Sequence, residues 1–184
     1  MKSFWDSHPC GSQGSYIEAY NQRYDNEPWI LYELKKIPSN LQSYLEVGCG
    51  QGIDSLVLSK VLNPNSKLVS IDYSNDSIAK AKENLRYASI DSKFSVLPDF
   101  VSMSALQLNF QNNTFDFVYS MGCLHHTGDT FKSITEIYRV LKPGGKCKIF
   151  LYRTFAIKVL SAHILRFMQK IVSFTNNFTQ LNSL

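Results

Sequence analysis

The segment Tyr44–Gly52 constrains the fold of this chain more than any other feature. It reads Tyr-Leu-Glu-Val-Gly-Cys-Gly-Gln-Gly, so a short apolar strand leads directly into a turn with three glycines. Glycine adopts left-handed backbone conformations readily and lets a ligand approach the backbone closely. Asp72 follows 22 residues after Gly50, at the end of the next apolar run, where a carboxylate can hold ribose hydroxyls. The segment therefore predicts a nucleoside-containing ligand at the first strand–helix turn.

Two details of this turn argue against a nicotinamide dinucleotide. The glycines follow the pattern G-x-G-x-G, and Ile53 occupies the place where the dinucleotide fingerprint needs a small residue. An acidic residue, Glu46, also lies inside the strand just before the turn. A different nucleoside cofactor is therefore expected.

Glu46, the three glycines and Asp72 together resemble the first motif of class I S-adenosylmethionine-dependent methyltransferases. The resemblance extends over about residues 40–152 and includes the fourth motif, Phe115–His126, and the turn before strand five, Arg139–Gly145. The aromatic N-terminal leader is similar to that of bacterial small-molecule methyltransferases near the type 11 group. This resemblance implies methyl transfer from S-adenosylmethionine to an oxygen, nitrogen or carbon atom of a small-molecule acceptor.

The resemblance also implies a set of cofactor-binding residues. The glycine turn would pack against the methionine part, with Glu46 ordering the turn or reaching the amino group. Asp72 would bind the ribose, and Tyr73 would lie along the adenine. The full set is Glu46, Gly48, Cys49, Gly50, Gly52, Asp72, Tyr73, Ser104, Ala105 and Ser120.

The adenine corner departs from the commonest family pattern. The usual Gly-Asp-Ala triplet falls on Met103-Ser104-Ala105, so we expect the Ser104 hydroxyl and the Ala105 backbone to reach the adenine amino group. Asp99 is a competing candidate if strand three begins before Phe100.

His125 and His126 are adjacent candidates for catalysis, at the strand end that would face the sulfonium methyl group. Adjacent side chains point in different directions, so at most one should face the cleft. A neutral imidazole there can take a proton from the acceptor. The alternative is a structural histidine that bonds a backbone carbonyl. We find no cluster that predicts a metal site.

Strand and helix patterns alternate along the chain, which predicts parallel pairing and a Rossmann-like α/β three-layer sandwich of strand order 3-2-1-4-5. Strands are expected at 44–47, 67–72, 100–103, 115–120 and 146–151. Helices are expected at 15–35 (divided by Pro28), after Gly52, from an Asn75 cap to about Tyr87, and at 130–141. Strands six and seven, usual in the family, have no counterpart, so the domain is either naturally short or truncated.

We expect one domain, with residues 1–38 as an N-terminal lid, 40–152 as the cofactor-binding core and 153–184 as an amphipathic helix and tail. In the leader, which contains Tyr16, Tyr20, Arg23 and Tyr24, an Arg or a Tyr could hold the cofactor carboxylate while the lid excludes water. The alternative is simple packing of an N-terminal helix on the sheet.

The net positive charge lies in the tail, since residues 151–184 contain four basic and no acidic side chains. The first 150 residues balance 15 basic against 15 acidic side chains, which argues against a nucleic-acid enzyme. Four scattered cysteines and no signal peptide or membrane-spanning stretch indicate a cytoplasmic protein with reduced thiols.

The predicted last helix, Phe155–Phe174, has one apolar and one basic face. It could cover strand five, contact an anionic membrane surface or support self-association. Two alternatives to the soluble small-molecule enzyme therefore stay open. One is a membrane-associated lipid or quinone methyltransferase, and the other is a non-catalytic, truncated cofactor-binding module.

Overall fold

In a computed structural model, which describes residues 14–91 and 93–152, five strands form one sheet in the order β3-β2-β1-β4-β5. The strands are β1 Ser43–Val47, β2 Lys67–Asp72, β3 Asp99–Ser102, β4 Phe115–Met121 and β5 Leu141–Phe150. All neighbouring pairs are parallel, as expected for strands joined by crossover connections. The predicted Rossmann-like α/β fold and its strand order are confirmed. The predicted C-terminal helix lies outside the described residues.

The helices in the described part of the chain are α1 Tyr16–Asn26, α2 Pro28–Lys35, α3 Ile53–Ser59, α4 Asn75–Asp91 and α5 Thr130–Val140. Ser15 and Glu18 form a capping box at the start of α1, in which each side chain accepts a hydrogen bond from the other's backbone N–H. Pro28 opens α2 and separates it from α1, as predicted. None of the described helices is long and apolar enough to cross a membrane.

Helices cover both faces of the sheet, which makes the three layers. On one face, α1, α2 and α3 pack on alternate residues of the central strands, such as Tyr44 and Phe117, and α4 packs against Phe100. On the opposite face, α5 packs its Ile137 and Val140 against residues that include Leu45. The alternation follows from the period of two in a strand.

The boundary between α5 and β5 differs from that predicted. Strand β5 begins at Leu141 instead of Lys146, because Leu141 pairs with Phe115 before a register shift. Helix α5 therefore ends at Val140, and Pro143 and Gly144 lie within the irregular start of the strand rather than ending the helix.

The start and end of helix α4 also differ from the prediction. Asn75 is its first residue rather than its cap, because the Ser74 hydroxyl accepts the Ser77 N–H at 3.2 Å. The helix continues to Asp91, beyond the predicted end at Tyr87. Strand β3 starts at Asp99, one residue earlier than expected.

Candidate active site

The glycine turn lies at the carboxyl ends of β1 and β2, where open parallel sheets bind their ligands. Gly48, Gly50 and Gly52 all have positive φ, at 83°, 51° and 78°. The Ile71 carbonyl accepts hydrogen bonds from the N–H groups of Gly48 (2.8 Å) and Cys49 (2.9 Å). The turn is therefore held by backbone contacts to the neighbouring strand.

The three glycines serve different purposes. A Cβ atom on Gly48 would overlap the Cβ and Sγ atoms of Cys123, and one on Gly52 would lie 2.7 Å from the Phe100 ring. A Cβ on Gly50 would meet nothing within 4 Å. Gly48 and Gly52 are thus required by packing inside the protein, whereas Gly50 borders open space that a ligand can enter.

Asp72, the last residue of β2, joins the glycine turn to the start of α4. Its Oδ2 accepts the Gly50 N–H at 2.8 Å, and its Oδ1 accepts the Ser74 N–H at 2.9 Å. The neighbouring Tyr73 ring is 44% exposed and borders the same edge. A carboxylate and an exposed aromatic ring beside an open glycine turn suit the ribose and base of a nucleoside.

The segment that follows β3 contains the remaining predicted adenine contacts. The Ser104 hydroxyl accepts the Leu106 N–H at 3.2 Å, and the Ala105 side chain is buried against the core. Asp99 pairs with Val69 at the amino end of β3, although the strand does begin early. Its exposed side chain is therefore placed away from the carboxyl edge, and Ser104 is the better-placed residue.

Glu46 is buried beneath the glycine turn, at 3% exposure, in a row between Ser70 of β2 and Tyr119 of β4. The Ser55 hydroxyl of α3 donates a short hydrogen bond to Glu46 Oε2. Burial, together with the negative charge of Asp54, raises the pKa of Glu46 to about 7. Within the described residues, the hydroxyls of Ser70 and Tyr119 face the carboxyl group without hydrogen bonds of normal geometry.

Asp54, in the first turn of α3, connects the leader to the glycine turn. Arg23 of α1 donates from Nη2 to Asp54 Oδ2 at 2.6 Å and from Nε to Oδ1 at 3.2 Å, and the Tyr24 hydroxyl donates to Oδ1 at 2.9 Å. Burial and the Asp54 charge raise the pKa of Tyr24 well above its ordinary value. Arg23 and Tyr24, proposed from the sequence as cofactor contacts, are therefore engaged by Asp54.

The sequence patterns did not identify Asp54 as the partner of the leader. An acidic residue two positions after the last glycine of the turn is the signal that could have identified it, because acids are favoured in the first turn of a helix. Its partner, however, lies 31 residues earlier in the chain, and no local pattern connects the two.

The carboxyl end of β4 passes directly beside the glycine turn. Ser120 is fully buried, and its hydroxyl donates to the Val47 carbonyl at 2.8 Å, which ties β4 to the end of β1. Cys123 contacts Gly48, as described above. The 3₁₀ turn Leu124–His126 follows, so both histidines lie close to the predicted methyl-transfer site.

The two histidines differ in exposure. Both ring nitrogens of His125 are shielded from solvent, whereas His126 is exposed. The rings lie 3.9 Å apart between centroids. Partial desolvation of the rings lowers the pKa of both, and the neighbouring ring lowers that of His125 further, which favours the neutral imidazole in each. A neutral imidazole is the form that accepts a proton.

The second leader helix, α2, lies along β5. Lys148 of β5 donates to the Glu33 carbonyl at 2.8 Å and pairs with Glu33 Oε2 at 3.0 Å. Nearer the carboxyl edge, Trp29 packs on Phe150 with 4.9 Å between ring centroids. The leader residues 16–35 therefore pack on the sheet. The predicted function of residues 1–38 as a lid remains a prediction, because residues before 14 lie outside the described part.

Comparison with known proteins agrees with this geometry. The profile of the type 11 methyltransferase domain matches residues 45–149. The chain is 31% identical over 105 residues to a demethylmenaquinone methyltransferase of Oceanobacillus iheyensis, and 34% identical over 113 residues to phosphoethanolamine N-methyltransferase 2 of Caenorhabditis elegans. The matches span 57% and 60% of this chain, but only 42% and 24% of those relatives, so the chain covers less than half of their length.

A solved structure supports the fold. A putative S-adenosyl-L-methionine-dependent methyltransferase from Methanococcus maripaludis superposes with a TM-score of 0.58 at 20% identity, covering 89% of this chain and 76% of that one. The profile match spans more than half of the sequence. The open space at Gly50 and the Asp72 carboxylate fit S-adenosylmethionine, which is the cofactor of this family. The chain belongs to the type 11 methyltransferase domain family of class I, S-adenosylmethionine-dependent enzymes.

Proposed function

We propose that this chain transfers a methyl group from S-adenosylmethionine to a small-molecule acceptor bound beside the carboxyl ends of β4 and β5. The observation that carries the proposal is the open Gly50 turn with the Asp72 carboxylate hydrogen-bonded across it. The cofactor, when bound, supplies an activated methyl group on a positively charged sulfur. The protein then has to bind the cofactor and the acceptor, align them and exclude water, without supplying a strong nucleophile.

The proposed assignment of the cofactor-binding residues follows their positions. Asp72 would accept hydrogen bonds from the ribose, Tyr73 would contact the base, and the turn from Gly48 to Gly52 would contact the methionine part. Ser104 would approach the base from the segment after β3. Glu46 and Ser120 support the turn from below through their contacts with Ser55 and Val47. Transfer leaves one proton to remove from a hydroxyl or amine acceptor, and His126, whose imidazole is exposed, would accept it.

The test begins with cofactor binding measured by calorimetry with S-adenosylhomocysteine. Asp72→Asn keeps an oxygen for the Gly50 N–H but loses the negative charge and the second oxygen that accepts the Ser74 N–H. We expect affinity to fall by roughly 1–3 kcal/mol, since charge-assisted hydrogen bonds are worth that much. Asp76→Asn is the matched control, because Asp76 is an exposed acid at the start of α4. Equal affinity in the folded Asp72 variant would remove Asp72 from the site.

Turnover is tested next, with labelled S-adenosylmethionine and a panel of sugars, polyketides, amines and lipids. Cofactor binding without turnover of any acceptor, together with a stable complex with another protein, would favour the non-catalytic binding module. Tight binding of NAD in place of S-adenosylhomocysteine would overturn the cofactor assignment for this chain.

A quinone acceptor is the second candidate, supported by the demethylmenaquinone methyltransferase relative. The phosphoethanolamine relative supports a charged amine acceptor instead. The panel therefore includes a naphthoquinol and phosphoethanolamine. Sedimentation with anionic liposomes, repeated at high salt, tests the proposed peripheral membrane contact, and the sedimentation behaviour of the protein alone tests self-association. The balanced charge of the first 150 residues supports a small molecule rather than a nucleic acid as the acceptor.

A further inference from the structure

Asn84 of α4 is a fully buried polar side chain on an otherwise apolar face of its helix. It lies between Ala81 and Leu85, on the face that packs with Cys49 of the glycine turn and Phe100 of β3. Asparagine favours a helix less than alanine or leucine does, and a buried amide costs free energy unless it is hydrogen-bonded. A side chain of this kind at this position therefore requires a polar partner.

The partner of Asn84 is the main chain of the glycine turn. Its Nδ2 atom donates to the Gln51 carbonyl at 3.0 Å. A carbonyl can only accept, so the amide nitrogen, not the amide oxygen, faces it. Gln51 lies between Gly50 and Gly52, which both have positive φ. The contact thus reaches the part of the turn that borders the open space at Gly50.

Two small residues allow α4 to approach the turn this closely. A Cβ atom on Gly52 would lie 2.9 Å from the Cβ of Ala81, one helical turn before Asn84. A larger side chain at either position would move the helix away from the turn. The close approach brings the short Asn84 side chain within reach of the carbonyl.

The contact completes a set of bonds that orient two peptide groups of the turn. The carbonyl of the peptide between Gln51 and Gly52 accepts from the α4 amide, and its N–H donates to the Cys49 carbonyl at 2.8 Å. In the peptide between Cys49 and Gly50, the N–H donates to Asp72 Oδ2 at 2.8 Å. Because a peptide group is planar, bonds at its two opposite edges fix its orientation. The backbone of Gly50 and Gln51 lies between these two fixed planes.

We infer that Asn84 is a positioning residue of the cofactor site, which keeps the turn at Gly50 in its binding conformation by holding the Gln51 carbonyl. The inference rests on the proposed methyl transfer and adds a residue that acts through the main chain of the turn. Without this bond, the backbone of Gly50 and Gln51 would be freer in the unliganded protein, and the cofactor would have to order it on binding. The amide therefore strengthens cofactor binding from beneath the turn.

The test is calorimetry with S-adenosylhomocysteine on Asn84→Leu and Asn84→Asp at pH 5 and pH 8. Leucine is of similar size but has no donor, so we expect affinity to fall about tenfold at both pH values, the cost of ordering roughly one residue. The carboxylate introduced by Asn84→Asp has no proton to donate at pH 8, and affinity should fall at least tenfold.

At pH 5, the Asn84→Asp protein should recover. Burial favours the neutral form of the introduced carboxyl group, and its O–H can donate to the Gln51 carbonyl. We expect its affinity to return to within about threefold of the wild type at the same pH, since one neutral hydrogen bond replaces another. Comparison at equal pH removes the contribution of Glu46, whose pKa is about 7 in both proteins.

The matched control is Ala88→Gly, because Ala88 is buried on the same helix, one turn beyond Asn84. Glycine weakens the helix there, so it should lower the Tm without changing the affinity for S-adenosylhomocysteine. Thermal unfolding of the same preparations shows which variants are folded at the temperature of calorimetry. Leucine introduces no polar group, so Asn84→Leu keeps the fold if Asn84→Asp does not.

Three outcomes would decide against the role of Asn84 or against the function on which it rests. Wild-type affinity in folded Asn84→Leu protein would mean that the contact stabilises the fold alone, and the proposed methyl transfer would stand. An equal loss of affinity in Ala88→Gly would attribute the effect to helix stability and overturn the inference in the same way. Failure of S-adenosylhomocysteine to bind the wild type would instead overturn the proposed function.

Discussion

The two halves of the carboxyl edge are built in different ways. At β1 and β2, main-chain groups and carboxylates make the site: the glycine turn bonds to the Ile71 carbonyl, and Asp72 bonds to the Gly50 N–H. At β4 and β5, side chains line the edge: Trp29 packs on Phe150, and the two histidines lie in the turn that follows β4. The half at β1 and β2 can be built from main-chain groups because its cofactor does not vary. In the half at β4 and β5, by contrast, amino-acid substitutions can change which ligand binds.

The ion pair between Arg23 and Asp54 connects these halves. Helix α1 bonds through it to the first turn of α3, directly after the glycine turn. Helix α2, which follows α1, carries Trp29, which packs on Phe150 at the end of β5. The leader is thus attached to both halves, through α1 to α3 and through α2 to β5.

The largest expected effect separates the glycine at the open surface from those in packed positions. Gly50→Val should abolish S-adenosylhomocysteine binding, with a loss beyond the range of calorimetry, because its side chain would occupy the space that a ligand enters. Its cost to stability is limited to backbone strain of about 1–2 kcal/mol or somewhat more for a branched residue. Binding and thermal unfolding are measured on the same preparation.

Gly48→Ala serves as the control for Gly50. Its Cβ would overlap Cys123, so this variant should lose stability first, and any loss of binding should follow unfolding. Normal cofactor affinity in a folded Gly50→Val protein would mean that Gly50 only shapes the turn, and the contrast between the two halves would lose its main support.

The next effect tests whether the polar half is sensitive to pH. The pKa of Glu46 is raised from 4.5 to about 7 in the folded protein, so its protonated form stabilises the fold fully below pH 4.5, and this contribution is lost as pH rises through 7. At about 1.4 kcal/mol per pKa unit, the wild type should lose about 3 kcal/mol between these limits relative to Glu46→Gln.

Urea unfolding of both proteins at pH 5 and pH 8 provides the measurement. Glutamine keeps an oxygen for the Ser55 hydroxyl, so the hydrogen bond remains while the titration disappears. The free-energy difference between the two proteins should favour the wild type more strongly at pH 5 than at pH 8. A pH-independent difference would show that Glu46 is ionised throughout.

The same contrast explains which features the sequence could predict. The glycine spacing, Asp72 and the strand order follow from local backbone rules and a regular alternation of elements, so they could be identified from residue patterns. Asp54 could not, because its role depends on Arg23, 31 residues away. The predicted start of β5 was wrong for a related reason. Pro143 and Gly144 normally indicate a turn, but Leu141 pairs with Phe115, so the strand begins before these two residues.

A smaller effect concerns proton removal at the β4 end. We expect His126→Ala to lower the turnover rate about 100-fold without changing cofactor affinity, because its exposed neutral ring can take a proton from the acceptor. His125→Ala should act mainly on stability, since its ring nitrogens are buried. Steady-state rates and calorimetry on both variants separate these outcomes. Near-normal rates in both would indicate catalysis by proximity and alignment alone.

The smallest expected effect tests whether the leader connects the two halves. Arg23→Ala leaves Asp54 without its cation and next to Glu46, and one-third exposure of the Arg23 side chain reduces the cost, so we expect a loss of about 2 kcal/mol in stability. Asp54→Asn in the same chain should recover part of that loss, because the uncompensated charge disappears. Urea unfolding of both single variants and the double variant gives the coupling energy. If this contact also supports the glycine turn, Arg23→Ala should weaken the binding of S-adenosylhomocysteine as well. Unchanged affinity for S-adenosylhomocysteine in the Arg23→Ala protein would mean that the ion pair stabilises the fold alone and does not support the cofactor turn.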